Sequence, residues 1–224
     1  MRFSNRDEAA RLLAERLAAY KGRRPLVLGV PRGAVPMAAT IAEALDGDLD
    51  VVLVRKLRAP GQPELAVGAV DDSGAIVKGA YYDLVPPEAL RQEIALQRET
   101  LRARRARYAA VRSPVPAAGR VVIIVDDGIA TGASMEAAIH ALRARRPTAL
   151  VVAVGVAPPH TLARLRPLVD ELVCLHATED FAAVGEFYDH FADVSDAEVE
   201  AALAGTPAPA GPHGGGTAGE GAAS

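Results

Sequence analysis

The chain has 224 residues, 50% hydrophobic and 24% charged, which is enough to bury one sizeable core in a single domain. A net charge of -3 gives no indication of a general nucleic-acid or membrane surface, and no apolar stretch reaches transmembrane length. The single cysteine, Cys174, excludes an internal disulfide. Because the N-terminus lacks a signal-peptide core, we expect a soluble, cytoplasmic protein.

The first half of the chain predicts alternating helices and strands. Ser4 and Asp7 resemble a capping box, and the segment after them has the apolar spacing of a helix. Farther on, two aliphatic runs predict strands, and a stretch with an Asp-Asp-Ser-Gly turn predicts a hairpin. The predicted ranges are strands over 26–30 and 50–57, a helix over 36–45 and the hairpin over 66–78.

The second half begins with a long charged helix, predicted over 86–111. It combines the basic run RARRAR with Glu88, Glu93 and Glu99, a mixture more typical of a solvated helix face than of a nucleic-acid patch. The remaining elements are strands over 121–125, 148–156 and 171–175 and a helix over 133–145. This order favours an α/β fold with a mainly parallel sheet flanked by helices.

The C-terminal segment from Thr206 to Ser224 is rich in Gly, Ala and Pro. It has no apolar periodicity and therefore no face to bury against a core. We expect a disordered tail over 206–224 and a folded domain over 1–205.

The most informative segment is VVIIVDDGIATGAS, residues 121–134. Its apolar run is typical of a strand buried on both faces of a parallel sheet, which places Asp126 and Asp127 at the carboxyl end, where such sheets bind ligands. The following residues offer backbone N–H and hydroxyl donors at a helix N-terminus, which suits a phosphate. Two carboxylates beside a phosphate site fit a sugar phosphate. The alternative is a buried strand with an ordinary Asp-Gly turn and helix cap.

This segment resembles the phosphoribosyl pyrophosphate (PRPP) motif of type I phosphoribosyltransferases. The resemblance implies that Asp126 and Asp127 are catalytic residues that bind the ribose 2′- and 3′-hydroxyls. It also implies that the 5′-phosphate is wrapped by a contiguous loop, consisting of Gly128, Ile129, Ala130, Thr131, Gly132, Ala133 and Ser134. The implied fold is type I phosphoribosyltransferase-like, with a small hood and the helix over 86–111 as an insertion. The implied reaction transfers the phosphoribosyl group to a nitrogenous acceptor and releases pyrophosphate.

Two basic segments are candidates for binding pyrophosphate. The turn after the first strand contains Pro31, Arg32 and Gly33 and resembles the pyrophosphate loop of the family. Arg55 and Lys56 place two cations at the carboxyl end of the next predicted strand, which also suits pyrophosphate. For the first segment, the alternative is an ordinary turn with a surface arginine.

The stretch VRKLRAPGQPEL resembles the mobile catalytic loop of the family. Within it, Glu64 is a candidate catalytic residue, as a general base or orienting group, or else a solvent-exposed loop residue. Magnesium is expected by resemblance, carried mainly by PRPP and pyrophosphate oxygens, and we assign it no protein ligand. The five histidines are dispersed without metal-ligand spacing.

The acceptor has no compact motif. Enzymes of the family that act on 6-oxopurines usually carry Asp before the Thr-Gly, where this chain has Ala130, so hypoxanthine and guanine are not expected. Phe187 and Tyr188 are candidates for stacking on a planar acceptor, and Arg2 and Phe3 are candidates for the same lid, with core packing as the alternative for all of them. The best overall resemblance is to stand-alone bacterial phosphoribosyltransferase-domain proteins whose acceptor is unassigned.

Two function classes follow from the resemblance: a phosphoribosyltransferase, or a PRPP-binding regulatory protein without turnover. The second class predicts an attached nucleic-acid-binding element, and no helix-turn-helix is evident in the sequence. We expect PRPP and a nitrogenous small molecule as partners, no nucleic acid and no membrane, with a homodimer as the candidate assembly.

Overall fold

The computed structural model describes residues 1–205, apart from the side chains of Pro63 and Glu64, so the predicted tail lies outside the described residues. The helices of this part are α1 (Arg6–Arg16), α2 (Ala34–Ala44), α3 (Pro87–Ala109), α4 (Ala133–Ala144), α5 (Pro159–Leu165) and α6 (Asp196–Gly205). The strands are β1 (Leu26–Gly29), β2 (Asp48–Val51), β3 (Val54–Ala59), β4 (Gln62–Asp71), β5 (Ile76–Lys78), β6 (Val121–Gly128), β7 (Ala149–Ala157) and β8 (Glu171–Ala177). Across residues 1–205, no helix combines the length and apolarity needed to cross a membrane.

The central sheet has five parallel strands in the order β2-β1-β6-β7-β8. Alternate residues of β6 serve two cores. Ile123 and Val125 pack with α1 and α2 on one face, and Val122 and Ile124 pack with α4 and α5 on the other. Residues 121–125 of β6 are all apolar, as expected for a strand that is buried on both faces. The predicted parallel α/β sheet flanked by helices is therefore confirmed.

The parallel arrangement gathers the strand ends that matter for function. Gly29, the last residue of β1, pairs with Val125, and Gly128, the last residue of β6, pairs with Val156 of β7. Because parallel strands share one carboxyl edge, the segments that follow β1, β6 and β7 emerge side by side. This edge carries the candidate site.

The strand predicted over 50–57 is wrong as a single element. β2 ends at Val51 in the central sheet, and β3 starts at Val54 in a separate antiparallel sheet with the order β3-β4-β5. The apolar residues between them, Val52 and Leu53, are buried in different cores, so the chain changes sheets without an exposed turn residue to mark the break. The second sheet contains the predicted hairpin, but its β4 begins at Gln62, inside the predicted loop.

Helix α3 confirms the long helix predicted from the sequence, but one of its arginines is not on a solvated face. Arg105 bonds to the buried carboxylates of Asp50 and Asp72, with 3.0 Å between Nη1 and Asp50 Oδ1. Arg145, at the end of α4, bonds to Asp72 and to Asp71 in the hairpin turn at 2.7 and 2.8 Å. These ion pairs fasten α3, the second sheet and α4 together.

Candidate functional site

The two predicted acids lie at the end of β6, on the carboxyl edge of the central sheet. Asp126 and Asp127 are half-buried and precede a short loop that ends at Gly132. Gly132 has a φ of +72°, a left-handed conformation that glycine adopts without strain, and it is the N-cap of α4. The acid pair and a helix N-terminus therefore stand at the two ends of one tight loop.

The loop presents unsatisfied backbone donors. Gly132 has no side chain to cap α4, so within the described part the first N–H groups of the helix, including those of Ala133 and Ser134, are available to an anion. The loop carbonyls are bound from the opposite side by α5: Thr161 Oγ1 donates to Ala130 at 2.8 Å, and Arg164 donates to Thr131. The loop backbone is thus fixed, and the N–H of Ile129 already donates to the Val156 carbonyl at 2.9 Å, so the donors that the site offers to an anion are those at the start of α4.

The two carboxyl groups differ in electrostatics. Burial raises the pKa of Asp126 well above its usual range, and the neighbouring charge of Asp127 raises this pKa further. Backbone N–H groups, including that of Gly128, oppose the shift. Asp126 therefore binds a proton more tightly than an ordinary carboxylate, while Asp127 is ion-paired.

The partner of Asp127 is Arg6, at the first position of α1. Arg6 Nε donates to Asp127 Oδ2 at 2.8 Å. The start of α1 is fixed by a capping box one residue later than predicted: the Asn5 side chain accepts from the N–H of Glu8, whose carboxylate accepts from the N–H of Ser4. Sequence reasoning missed Arg6, because nothing local marks a contact between residues 121 positions apart.

The predicted pyrophosphate turn, containing Pro31, Arg32 and Gly33, lies beside the acid pair. It follows β1, and its Pro31–Arg32 peptide bond is cis. A Cβ on Gly33 would overlap Asp127 Oδ2, so only glycine lets the turn approach so closely. Arg32 is exposed at this edge. The structure thus places this turn next to the acid pair at the end of β6.

Arg55 and Lys56 lie on β3 rather than on the central sheet, yet both are close to the loop. Together with Ser134 they line a cavity of about 200 Å³. Arg55 Nε donates to Gln97 Oε1 at 2.9 Å, and Gln97 is a buried side chain of α3 that also donates to Glu93 at 3.1 Å. Helix α3 therefore supports β3, the strand of Arg55 and Lys56, beside the cavity that this strand shares with Ser134 at the start of α4.

The predicted acceptor residues Phe187 and Tyr188 are buried, with 9% and 2% of their surface exposed. Tyr188 packs on Phe3, and its hydroxyl donates to the Asp127 carbonyl at 2.7 Å. Burial raises the pKa of Tyr188, so its phenol stays a neutral donor. Gly155 permits this bond, since a Cβ there would overlap the Tyr188 hydroxyl. Their acceptor role stays a prediction.

Glu64 lies on β4. On this strand it falls between Gln62, which pairs with Ala59, and Ala66, which pairs with Arg58, and the register of the hairpin shifts between these two pairs. Within the stretch VRKLRAPGQPEL, residues 59–65 therefore form the tip of a hairpin, with Gly61 at a φ of +73° in its turn. Its proposed catalytic role stays a prediction.

Comparison with known proteins agrees with this geometry. The model of the family "Phosphoribosyl transferase domain" matches residues 5–190. In two strains of Mycobacterium tuberculosis, a protein named "Putative phosphoribosyl transferase" is 43% identical over 209 residues, which cover 90% of this chain and 46% of that protein. This chain thus spans about half the length of those relatives. The crystal structure of TT1426 from Thermus thermophilus is similar with a TM-score of 0.84 and 48% identity, covering 91% of this chain and 98% of that one. The resemblance found in the sequence is confirmed, and the chain belongs to the phosphoribosyl transferase domain family.

Proposed function

We propose that the protein is a phosphoribosyltransferase that uses PRPP and Mg²⁺ and transfers the phosphoribosyl group to a nitrogenous acceptor. The observation that carries this proposal is the placement of Asp126 and Asp127 at one end of a tight loop whose other end is the uncapped N-terminus of α4. This arrangement fits a ligand with vicinal hydroxyls and a phosphate separated by a sugar ring. Neither half alone would select a ribose phosphate.

In the proposed reaction the acid pair accepts hydrogen bonds from the ribose hydroxyls, and the loop donates to the 5′-phosphate. Both ends of the ribose are then fixed while the bond to pyrophosphate breaks and the anomeric carbon becomes oxocarbenium-like. Such fixation lowers the entropic cost of reaching the transition state. The carboxylate of Asp127 also places negative charge near the developing positive charge of the ring.

The leaving pyrophosphate would be bound by the turn at Pro31, Arg32 and Gly33 and by the cations Arg55 and Lys56. The turn offers backbone groups at close approach, and the cations lie across the cavity beside Ser134. Guanidinium and ammonium groups stabilise the charge that builds up on pyrophosphate.

Magnesium fits this donor set when it is brought by the substrate. Among residues 1–205, no group of three or more His, Cys, Asp or Glu side chains could hold a metal ion by itself. Asp126 and Asp127 offer carboxylate oxygens beside the proposed phosphate site, and Mg²⁺ prefers to complete its shell with substrate oxygens and water. When bound, the ion would neutralise charge on the pyrophosphate.

The direct test is to incubate the protein with PRPP, Mg²⁺ and a panel of nitrogenous bases and amines and to measure pyrophosphate release. Calorimetry with PRPP, with and without Mg²⁺, accompanies it. Release with at least one acceptor supports the transferase. Binding without turnover on any acceptor supports the regulatory alternative, and absence of PRPP binding contradicts both.

Glu64→Gln tests the proposed proton-handling role on β4. If Glu64 is a general base, the variant should lose about 10²–10⁴-fold in kcat while its Kd for PRPP stays unchanged, because the amide cannot accept a proton. Glu99→Gln, an exposed side chain of α3, is the matched control and should change neither constant. A wild-type turnover rate for Glu64→Gln rules the role out.

Gln97→Leu tests whether α3 supports the basic strand. The variant removes the acceptor of Arg55 Nε, so its affinity for Mg²⁺-pyrophosphate should fall about 3–10-fold, the equivalent of about 0.7–1.4 kcal/mol, which is the net contribution of one typical hydrogen bond. The control is Gln92→Leu, since Gln92 donates to Glu88 with the same i,i+4 spacing on the exposed side of the helix. Calorimetry with pyrophosphate measures both, and equal affinities in the two variants would show that Gln97 does not act through Arg55.

A further inference from the structure

The site contains an enclosed ion pair between Asp127 and Arg6, a residue that lies outside the segment 121–134. Arg6 and Asp127 have side chains that are 15% and 13% exposed, and 2.8 Å separates Arg6 Nε from Asp127 Oδ2. Ion pairs on the surface are solvated and screened and hold their partners loosely, whereas an enclosed pair fixes one geometry. The Asp127 carboxylate is therefore oriented by a residue that lies 121 positions earlier in the chain.

Arg6 is itself held independently of Asp127. Its Nη1 donates to the carbonyl of Ala192 at 2.6 Å, and its guanidinium lies over the ring of Phe191, 3.8 Å from the centroid. The capping of α1 at Asn5 fixes the backbone from which the side chain projects. Because these contacts set the plane of the guanidinium, Arg6 can impose an orientation on the carboxylate rather than follow it.

The contact with Arg6 involves only one of the two carboxylate oxygens of Asp127. Arg6 takes Oδ2, and the Tyr188 hydroxyl binds the main-chain carbonyl of Asp127 rather than its side chain. Together these bonds fix both the backbone and one carboxylate oxygen, so the second oxygen, Oδ1, is held in a defined position. An acid that must meet one ribose hydroxyl benefits from such preorganisation.

We propose that Arg6 is a positioning residue for phosphoribosyl transfer, which holds Asp127 by one oxygen so that the other binds a ribose hydroxyl of PRPP. This inference rests on the proposed function, since it assigns Asp127 to the ribose. It differs from a direct role toward pyrophosphate, for which Arg6 is also close enough: its Nη2 lies 3.0 Å from the position of a Cβ on Gly33.

Two probes separate these roles: ribose 5-phosphate and inorganic pyrophosphate, each titrated calorimetrically in the presence of Mg²⁺. In Arg6→Met, we expect the affinity for ribose 5-phosphate to fall at least about tenfold, because the variant loses the charge-assisted hydrogen bond from Arg6 Nε that orients the Asp127 carboxylate. The affinity for pyrophosphate should change by less than about twofold. Arg6→Lys keeps the charge but not the planar fork, so its loss for ribose 5-phosphate should be smaller than that of Arg6→Met.

The matched control is Arg11→Met, because Arg11 lies on the same helix and pairs with Asp7 at 2.9 Å in an exposed position. It should bind both probes as the wild type does. Equal losses for the two probes, a loss for pyrophosphate alone, or no loss would each overturn the positioning role. If Arg6→Met does not fold, the same comparison is made with Arg6→Lys. A wild-type protein that binds neither probe would contradict the proposed function itself, and this inference with it.

Discussion

The double variant Asp126→Asn/Asp127→Asn should lose PRPP binding by more than about 100-fold and keep its fold. Each carboxylate is proposed to accept a charge-assisted hydrogen bond from a ribose hydroxyl, worth about 1.5–3 kcal/mol, and the two losses combine. Calorimetric titration with PRPP and Mg²⁺ measures the change. Asp180→Asn, an exposed acid after β8, is the control and should bind PRPP normally.

The same variant has a distinct signature in stability. Because the pKa of Asp126 is raised in the folded protein, the folded state binds this proton more tightly than the unfolded chain does. The free energy of unfolding attributable to Asp126 should therefore fall as the pH rises above the ordinary pKa of an aspartate, about 4, and the variant should lack that fall. Urea unfolding across this range measures it. A collapse of the fold in the variant would instead support a purely structural turn at Asp126 and Asp127.

Arg105→Met should produce the largest loss of stability. The variant leaves the carboxylate of Asp50, which is 5% exposed, without its guanidinium partner, and it removes one of the two arginines that bind Asp72. Removing one member of a buried ion pair costs about 3–5 kcal/mol, because the remaining charge is uncompensated. Chemical unfolding monitored by circular dichroism gives the free energy of unfolding.

The control for this variant is Arg102→Met, three residues earlier on the exposed face of α3. Its effect should stay within about 0.5 kcal/mol, as for most surface substitutions. If the two variants lose the same free energy, the network of Arg105 does not hold α3 against the second sheet. The long helix would then be stabilised by its apolar contacts, which include Leu101 and Tyr108.

The parts of the site that could be predicted from sequence are those whose residues are contiguous in the chain. The apolar run of β6, the acid pair and the loop to Gly132 follow each other without a gap, so local rules place them correctly. Parallel sheets share a carboxyl edge, which also placed the turn at Gly33 beside them.

The remaining parts depend on contacts that leave no local signal. Arg6 binds Asp127 across 121 positions of the chain, and the Tyr188 hydroxyl can reach the Asp127 carbonyl because Gly155 has no side chain in the way. Arg105 belongs to a basic run that is indistinguishable in sequence from a solvated helix face, yet its side chain forms ion pairs with Asp50 and Asp72. In each case the partner is chosen by tertiary packing, which periodicity and spacing do not encode.

Residues 126–134 are proposed to bind the ribose 5-phosphate part of PRPP. The crystal structure of the protein with PRPP and Mg²⁺ tests this proposal most directly. We expect the ribose hydroxyls within hydrogen-bond distance of the carboxylates of Asp126 and Asp127 and the 5′-phosphate on the backbone N–H groups around Gly132 and Ser134. A PRPP molecule bound at another edge of the sheet, or with its phosphate away from the N-terminus of α4, would contradict the account.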